Sequence, residues 1–194
     1  MIQYILISLL ISVPGETALN KMADRYASAP AIQWSMESKV YSSVFDETEV
    51  TPVEFTFNAP DTFYFKSDQE EVLGIADTIW VMSKRHKQIQ KKLSSAYVMP
   101  SDLIIGWQER YDLDDYSSKG ELHEFILTGK EDVNPRDVRL TTKMNNHLNS
   151  IYYKDSVGND VTLTVKKEKL ARATNINFFF KNIPKGYKLI DLTD

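Results

Sequence analysis

The sequence predicts a mainly β protein in which about ten or eleven strands form one highly curved antiparallel sheet. Three observations predict this class. Short segments of alternating apolar and polar residues recur from residue 31 onward, turn signals separate them, and helical periodicity is confined to two short stretches. With 194 residues, of which 42% are hydrophobic, and no repeat or linker, we expect a single domain.

The N-terminal segment has features of an export signal. Residues 2–13 are uncharged and too short for a stable membrane anchor, and Pro14-Gly15 breaks the apolar run where a cleavage region would begin. We therefore expect residues 1–18 to be a signal peptide and residues 19–194 to be the folded domain. A retained apolar N-terminus is the alternative.

Helical periodicity marks two places. After residue 18, Asn20 is expected to cap a short amphipathic helix that ends before Pro30. Its apolar face consists of Leu19, Met22, Ala23 and Tyr26. In the middle of the chain, Pro100 and Ser101 introduce a helical turn, and the acidic residues 112–120 that follow are expected to form an exposed loop. The apolar side of that turn consists of Leu103, Ile104 and Trp107.

The remaining segments alternate as strands with one polar face. Residues 32–40 and 53–57 flank a polar turn, and antiparallel pairing of the two is the simplest arrangement. The further predicted strands cover residues 63–65, 72–75, 78–82, 87–93, 122–128, 138–143, 148–153, 161–167 and 176–180.

Composition argues against several function classes. The chain has no cysteine and a formal net charge of −4, so disulfides, thiolate metal sites and a dedicated nucleic-acid-binding role are not expected. Seven scattered glycines form no phosphate-binding loop, and the three histidines have no metal-ligand spacing, so we expect no enzyme, cofactor or metal.

One basic cluster is either a solvated strand edge or a contact for anionic lipid or a partner. It consists of Lys84, Arg85, Lys87, Lys91 and Lys92.

Aromatic and methionine residues are abundant at strand positions, and all of them could line one side of the curved sheet. Two interpretations are open. The residues form an ordinary core that the helices cover, or they form the wall of a cavity for an apolar ligand. The second follows if two short helices cannot fill so wide a concavity. The residues are Trp34, Met36, Phe55, Phe57, Phe63, Phe65, Trp80, Met82, Phe178 and Phe180.

Six sequence segments carry a resemblance to a known family. They are VEFTFNAPDTFYF (53–65), DTIWVM (77–82), PSDLIIG (100–106), FILTGK (125–130), NFFF (177–180) and PKGYKLIDL (184–192). In their order and spacing the chain resembles the periplasmic outer-membrane lipoprotein carriers (LolA-like). The resemblance implies an unclosed antiparallel β-barrel with an N-terminal helix and short lid helices over its concave apolar face.

The same resemblance implies a function without catalysis. A monomeric periplasmic chaperone would bind lipoprotein acyl chains against the ten aromatic and methionine residues above, beneath a lid around Leu103, Ile104 and Trp107. Its expected partners are acylated lipoproteins, the inner-membrane lipoprotein-releasing ABC transporter and an outer-membrane receptor.

Two features qualify the resemblance. Many carriers have a basic residue, which helps to latch the lid, just before the proline that corresponds to Pro60, whereas this chain has Ala59 there. The family's receptor is lipidated on an N-terminal cysteine, which this chain lacks. The missing latch leaves open a second function, an exported lipid-binding or sensor module on the same scaffold.

Overall fold

The computed structural model describes residues 14–58, 62–93, 103–172, 176 and 181–193. Within them, two helices, α1 (Pro14–Ala27) and α2 (Trp107–Arg110), accompany twelve strands. The strands are β1 (Ala31–Ser42), β2 (Glu47–Asn58), β3 (Thr62–Lys66), β4 (Glu70–Ile75), β5 (Thr78–Ser83), β6 (Gln88–Leu93), β7 (Tyr111–Lys119), β8 (Leu122–Gly129), β9 (Asp137–Lys143), β10 (Leu148–Lys154), β11 (Asp160–Ala171) and β12 (Lys188–Asp191).

These strands form one sheet in the order β12-β6-β5-β4-β3-β2-β1-β11-β10-β9-β8-β7. Neighbouring strands pair antiparallel, except that β12 runs parallel to β6. Because β7 and β12 are separate edges, the sheet is an open curved barrel. The predicted fold class is confirmed, with twelve strands in the described residues rather than ten or eleven.

Helix α1 covers one face of the sheet, which we call the inner face. Its residues Leu19, Met22 and Tyr26 are fully buried in the main hydrophobic core together with Trp34 and Phe55. Three apolar side chains at helical spacing on one side of the helix therefore account for its docking.

The start of α1 corrects one sequence expectation. The helix was expected to begin after residue 18, yet it begins at Pro14, a position at which proline's missing N–H costs no hydrogen bond. Gly15 permits close packing against β7, because a Cβ there would lie 2.7 Å from the Cβ of Tyr116. The predicted signal peptide lies mostly outside the described residues and stays a prediction.

Strand β7 corrects the expectation for the acidic segment in the middle of the chain. Residues 112–120 were expected to form an exposed loop, but Tyr111–Lys119 is an edge strand paired with β8. A bulge between Leu113 and Asp115 shifts the alternation, so that Leu113 and Tyr116 both pack against the core. The bulge hides the period of two, and the polar residues suit an exposed edge.

Candidate functional site

The inner face carries a row of stacked aromatic rings. The Trp34 ring stacks on Phe55 with centroids 5.5 Å apart, and Phe55 stacks on Phe63 at 6.5 Å. Tyr26 of α1 meets the Trp34 ring edge-on at 5.2 Å. Direct cross-strand pairing of Trp34 with Phe55, and of Phe55 with Phe65, places these side chains on the same face of β1, β2 and β3.

The predicted inner-face residues differ in burial. Trp34, Met36 and Phe55 are buried within the core, so they are part of the packed interior. The three remaining phenylalanines of β2 and β3 are only partly buried and pack against the edge of that core. They are Phe57, Phe63 and Phe65.

Trp80 and Met82 do not share this face, which corrects the expectation that all these residues line one side. Phe65 lies opposite Val72, and Val72 lies opposite Val81, so Val81 faces inward. Trp80 and Met82 flank Val81 along β5 and therefore face outward. The last two predicted wall residues, Phe178 and Phe180, lie outside the described residues.

The outer face of β4, β5 and β6 has its own small hydrophobic cluster. The C-terminal part of the chain covers it, since Ile176 is buried there and Tyr187 packs against it. Trp80 belongs to this cluster, and the ammonium group of Lys91 lies 5.8 Å from the Trp80 ring centroid. The buried members on the strands are Leu73, Met82 and Ile89.

The predicted lid residues lie over the inner face. Leu103, Ile104 and Trp107 are all buried in the same core cluster as α1. Residues 100–102, which were expected to introduce this helical turn, lie outside the described residues. Gly106, at φ 70°, adopts the left-handed backbone conformation that turns the chain into the short helix α2.

One side chain joins this segment to α1. The Asn20 Oδ1 atom accepts a hydrogen bond of 3.0 Å from Trp107 Nε1 and another of 2.6 Å from Gln108 Nε2. Asn20 was expected to cap the start of α1, but it lies within the helix. Its amide oxygen instead links the two parts of the chain that cover the inner face.

A second polar connection holds the other end of α1. The Glu168 carboxylate of β11, only 8% exposed, accepts hydrogen bonds from Arg25 Nη2 at 3.0 Å, from Trp34 Nε1 at 3.2 Å and from the Tyr26 hydroxyl. His147 Nδ1 lies 2.7 Å from the same carboxylate. At that distance the Nδ1–H donates to Glu168, so this nitrogen cannot also accept from Arg25. We call these five residues the Glu168 cluster.

The cluster changes the acidity of its members. Burial acts to raise the pKa of Glu168, but the hydrogen bonds from Tyr26, Arg25 and Trp34 outweigh it and hold that pKa below its usual value. Burial and the bond to Glu168 raise the pKa of the Tyr26 hydroxyl. The Tyr26 oxygen also accepts the backbone N–H of Leu148 at 2.7 Å. Glu168 is therefore ionised, and α1 is tied to three neighbouring strands.

A cavity of about 270 Å³ opens at the end of the inner face away from the Glu168 cluster. This is slightly below the roughly 300–1,000 Å³ of typical small-molecule sites. Burial raises the pKa of Glu70 at its rim, an effect partly offset by Lys92. The lining residues are Ser38, Val40, Glu49, Thr51, Val53, Phe65, Ser67, Gln69, Glu70, Ser83, Arg85 and His86.

Sequence reasoning missed both polar features. The cavity rim draws on several strands and turns, and the Glu168 cluster draws on residues as far apart as Arg25 and Glu168. Of the cavity-lining residues, the sequence had singled out Phe65, as part of the apolar wall, and Arg85, as part of the basic cluster. Tyr26 and Trp34 of the Glu168 cluster had been singled out only for their apolar rings. Among the described residues, no group of three acidic or histidine side chains is placed to hold a metal ion, and no helix has the length and apolarity needed to span a membrane.

Comparison with solved structures identifies similar folds. An uncharacterized conserved protein from Thermus thermophilus aligns with 91% of this chain and 98% of its own, at a TM-score of 0.53 and 12% identity. A putative outer membrane lipoprotein-sorting protein domain from Vibrio parahaemolyticus covers 87% of this chain and 98% of its own, at a TM-score of 0.51 and 12% identity. A DUF1329 family protein from Desulfovibrio piger covers 83% of this chain and 93% of its own, at a TM-score of 0.51 and 10% identity.

In sequence, no protein-family model and no curated protein matches the chain. At 10–12% identity, the structural similarities show the fold alone. The resemblance inferred from the sequence is confirmed at the level of the fold, since the lipoprotein-sorting domain and the DUF1329 family protein have LolA-like folds.

Proposed function

We propose that this chain is an exported chaperone that binds the acyl chains of lipoproteins on its inner face and carries them across the periplasm from the inner to the outer membrane. The apolar inner face, covered by α1 and the lid segment, is the observation that supports the proposal. Phe57, Phe63 and Phe65 make the first contacts with cargo, because they are the partly exposed members of the aromatic row.

The physical need for a carrier follows from the cargo. Burial of each methylene is worth about 0.8 kcal/mol, so one sixteen-carbon chain carries roughly 12 kcal/mol of unfavourable hydration. A lipoprotein with two or three such chains does not cross water unaided. Aromatic rings suit transient binding, because they cover an acyl chain without requiring a single geometry.

Cargo entry requires the cover to move. The 270 Å³ cavity is small, and the buried lid residues belong to the same core cluster as Trp34 and Phe55. A few polar contacts hold this cover, namely those of Asn20 to the lid and those of Glu168 to α1. They take the place of the basic latch missing before Pro60. Acyl chains bind the open state better than the closed one, and this difference drives loading.

The proposed cycle needs partners at both membranes. An inner-membrane lipoprotein-releasing ABC transporter would deliver cargo to the open state, and an outer-membrane receptor would accept it. The carrier acts as a monomer, and the cycle includes no covalent step. The alternative, an exported lipid-binding or sensor module, would use the same inner face for a free lipid.

Native mass spectrometry of the protein, purified without detergent after co-expression with a triacylated lipoprotein, tests the proposal. We expect a complex with the lipoprotein in the wild type, loss of the complex in Phe57→Glu, and retention in Thr56→Glu. Thr56 is the matched control, because it neighbours Phe57 on β2 but faces outward.

Two results would count against the carrier function. Free fatty acid or phospholipid without lipoprotein would favour the lipid-binding module. Loss of the complex in both variants, with wild-type melting curves, would show that the inner face is not the binding surface.

A further inference from the structure

Two neighbouring turns present apolar side chains to solvent. Val44 and Phe45, in the turn between β1 and β2, are 77% and 73% exposed, and Val157, in the turn between β10 and β11, is 74% exposed. Tyr41 of β1 pairs with Thr48 of β2 on one side and Asp160 of β11 on the other, so the two turns project side by side. Three exposed apolar side chains are therefore grouped at one end of the sheet.

A basic group lies at the same end. The turn between β5 and β6 contains Arg85 and Lys87, and the backbone N–H of Lys188 in β12 donates to the Lys87 carbonyl at 2.9 Å. Lys185 precedes β12 by three positions. These four exposed cations, Arg85, Lys87, Lys185 and Lys188, form no ion pair with any described residue. We call them the basic corner.

The cavity lies between these two groups. Val40 and Glu49, close to the apolar turn, line one side, and Arg85 and His86 line the other. We call this end of the sheet, with its two apolar turns and the basic corner, the mouth end. Antiparallel alternation places the β7–β8 and β9–β10 turns at the opposite end.

We propose that the mouth end docks on the surface of a phospholipid bilayer that contains anionic lipid. The apolar turns enter the interface, and the basic corner contacts anionic headgroups. Polybasic segments are attracted to anionic leaflets, and exposed apolar side chains add burial at the headgroup level. The docked orientation points the cavity at the membrane.

The shape and charge of this end favour lipid over a protein partner. The apolar residues stand on separate projecting turns rather than on a continuous flat patch, and a deformable lipid surface accommodates such projections. Within the turns, the Asp46 carboxylate accepts a hydrogen bond from the Tyr41 hydroxyl, and the Asp155 carboxylate accepts one from the backbone N–H of Val157. Glu47, beside the first turn, restricts its insertion to the interfacial region.

The purpose of docking rests on the proposed carrier function, but its test does not. Cargo-free protein is mixed with vesicles of phosphatidylcholine alone or of equimolar phosphatidylcholine and phosphatidylglycerol, and the bound fraction is measured by sedimentation. We expect binding to the mixed vesicles that weakens as salt is added. The variants Val44→Ser/Phe45→Ser and Lys185→Glu/Lys188→Glu should each reduce the apparent affinity about tenfold.

Matched controls stand at the opposite end of the sheet. Met144→Ser changes a residue that is 49% exposed in the β9–β10 turn, and Lys119→Glu/Lys143→Glu reverses two exposed charges there. These variants should bind vesicles like the wild type. All variants should keep the wild-type melting curve, because the substituted residues are exposed.

Absence of vesicle binding, or equal losses in the control variants, would overturn the docking proposal. A doubling of the mass in light scattering that depends on Phe45, without vesicle binding, would instead assign the apolar turns to a contact between copies. Neither result affects acyl-chain binding by the inner face, so failure of docking is distinguishable from failure of the carrier function.

Discussion

The Arg25 guanidinium of α1 lies 3.0 Å from the Glu168 carboxylate of β11, across a sequence separation of 143 residues. The carboxylate also accepts from Trp34 of β1, so the helix is fixed to two paired strands. A buried carboxylate with several donors is a structural anchor, since removal of its charge leaves those donors with weaker and fewer hydrogen bonds. The anchor sets the position of the cover over the inner face.

Glu168→Gln should lower the free energy of unfolding by about 2 kcal/mol, because hydrogen bonds to a buried charge are worth roughly 1.5–3 kcal/mol and the amide accepts fewer of them. Urea unfolding monitored by circular dichroism measures this change. Glu37→Gln is the control, since Glu37 pairs with Lys166 at the exposed surface. Its effect should stay below about 0.5 kcal/mol. Equal effects of the two substitutions would contradict the anchor role.

The same carboxylate predicts a pH dependence. Its folded-state pKa lies below the ordinary value of 4.5, so the folded state binds fewer protons than the unfolded state as the pH falls. Its stabilising contribution is present above about pH 4.5 and is lost as the pH falls through the folded-state pKa. Urea unfolding at pH values from 7 down to about 3 should therefore show the wild type approaching Glu168→Gln. A constant difference between the two proteins would refute this.

The strands were predictable where one face is polar. Alternation in β1 and β2 places Trp34 and Phe55 inward, and the structure agrees. The alternation rule fails in β4, where Val72 and Leu73 are both fully buried. They lie on opposite faces of the sheet, and each face packs against its own hydrophobic cluster. Without a polar face the period of two disappears, so the direction of Trp80 and Met82 could not be read from the sequence.

The polar contacts of the candidate site depend on tertiary structure. Asn20 stands at the start of a helical pattern, where a capping role is the usual local interpretation. Its actual partners, Trp107 and Gln108, are 87 and 88 residues away. No local pattern encodes such a pairing, whereas the apolar residues of the lid carried a helical period that predicted their shared face.

Asn20→Ala should loosen the lid. The substitution removes the acceptor of the Trp107 indole N–H while it leaves the apolar contacts of Leu103 and Ile104 in place. We expect an increased apparent affinity for a fluorescent fatty acid, because the open state becomes more populated. Unfolding free energy should fall by only about 1 kcal/mol.

Fluorescence titration gives the affinity, and the rate of hydrogen exchange of the Trp107 indole N–H, followed by NMR, reports lid opening directly. Lys21→Ala, on the exposed side of the same helix, is the control and should behave like the wild type. An unchanged affinity in Asn20→Ala would mean that this hydrogen bond does not restrain the lid.

Gly74 should tolerate a methyl group only when the ring of Phe63 is absent. The two residues lie opposite each other on β3 and β4, and a Cβ at Gly74 would lie 2.0 Å from Phe63 Cε1. Gly74→Ala must therefore displace this ring from the inner face, at a cost of about 1–3 kcal/mol. In a Phe63→Ala background the clash is gone, and alanine is the better strand residue, so the same change should be neutral or stabilising. A double-mutant cycle by urea unfolding should give a coupling of at least about 1 kcal/mol, whereas equal costs in both backgrounds would show that ring displacement is not their cause.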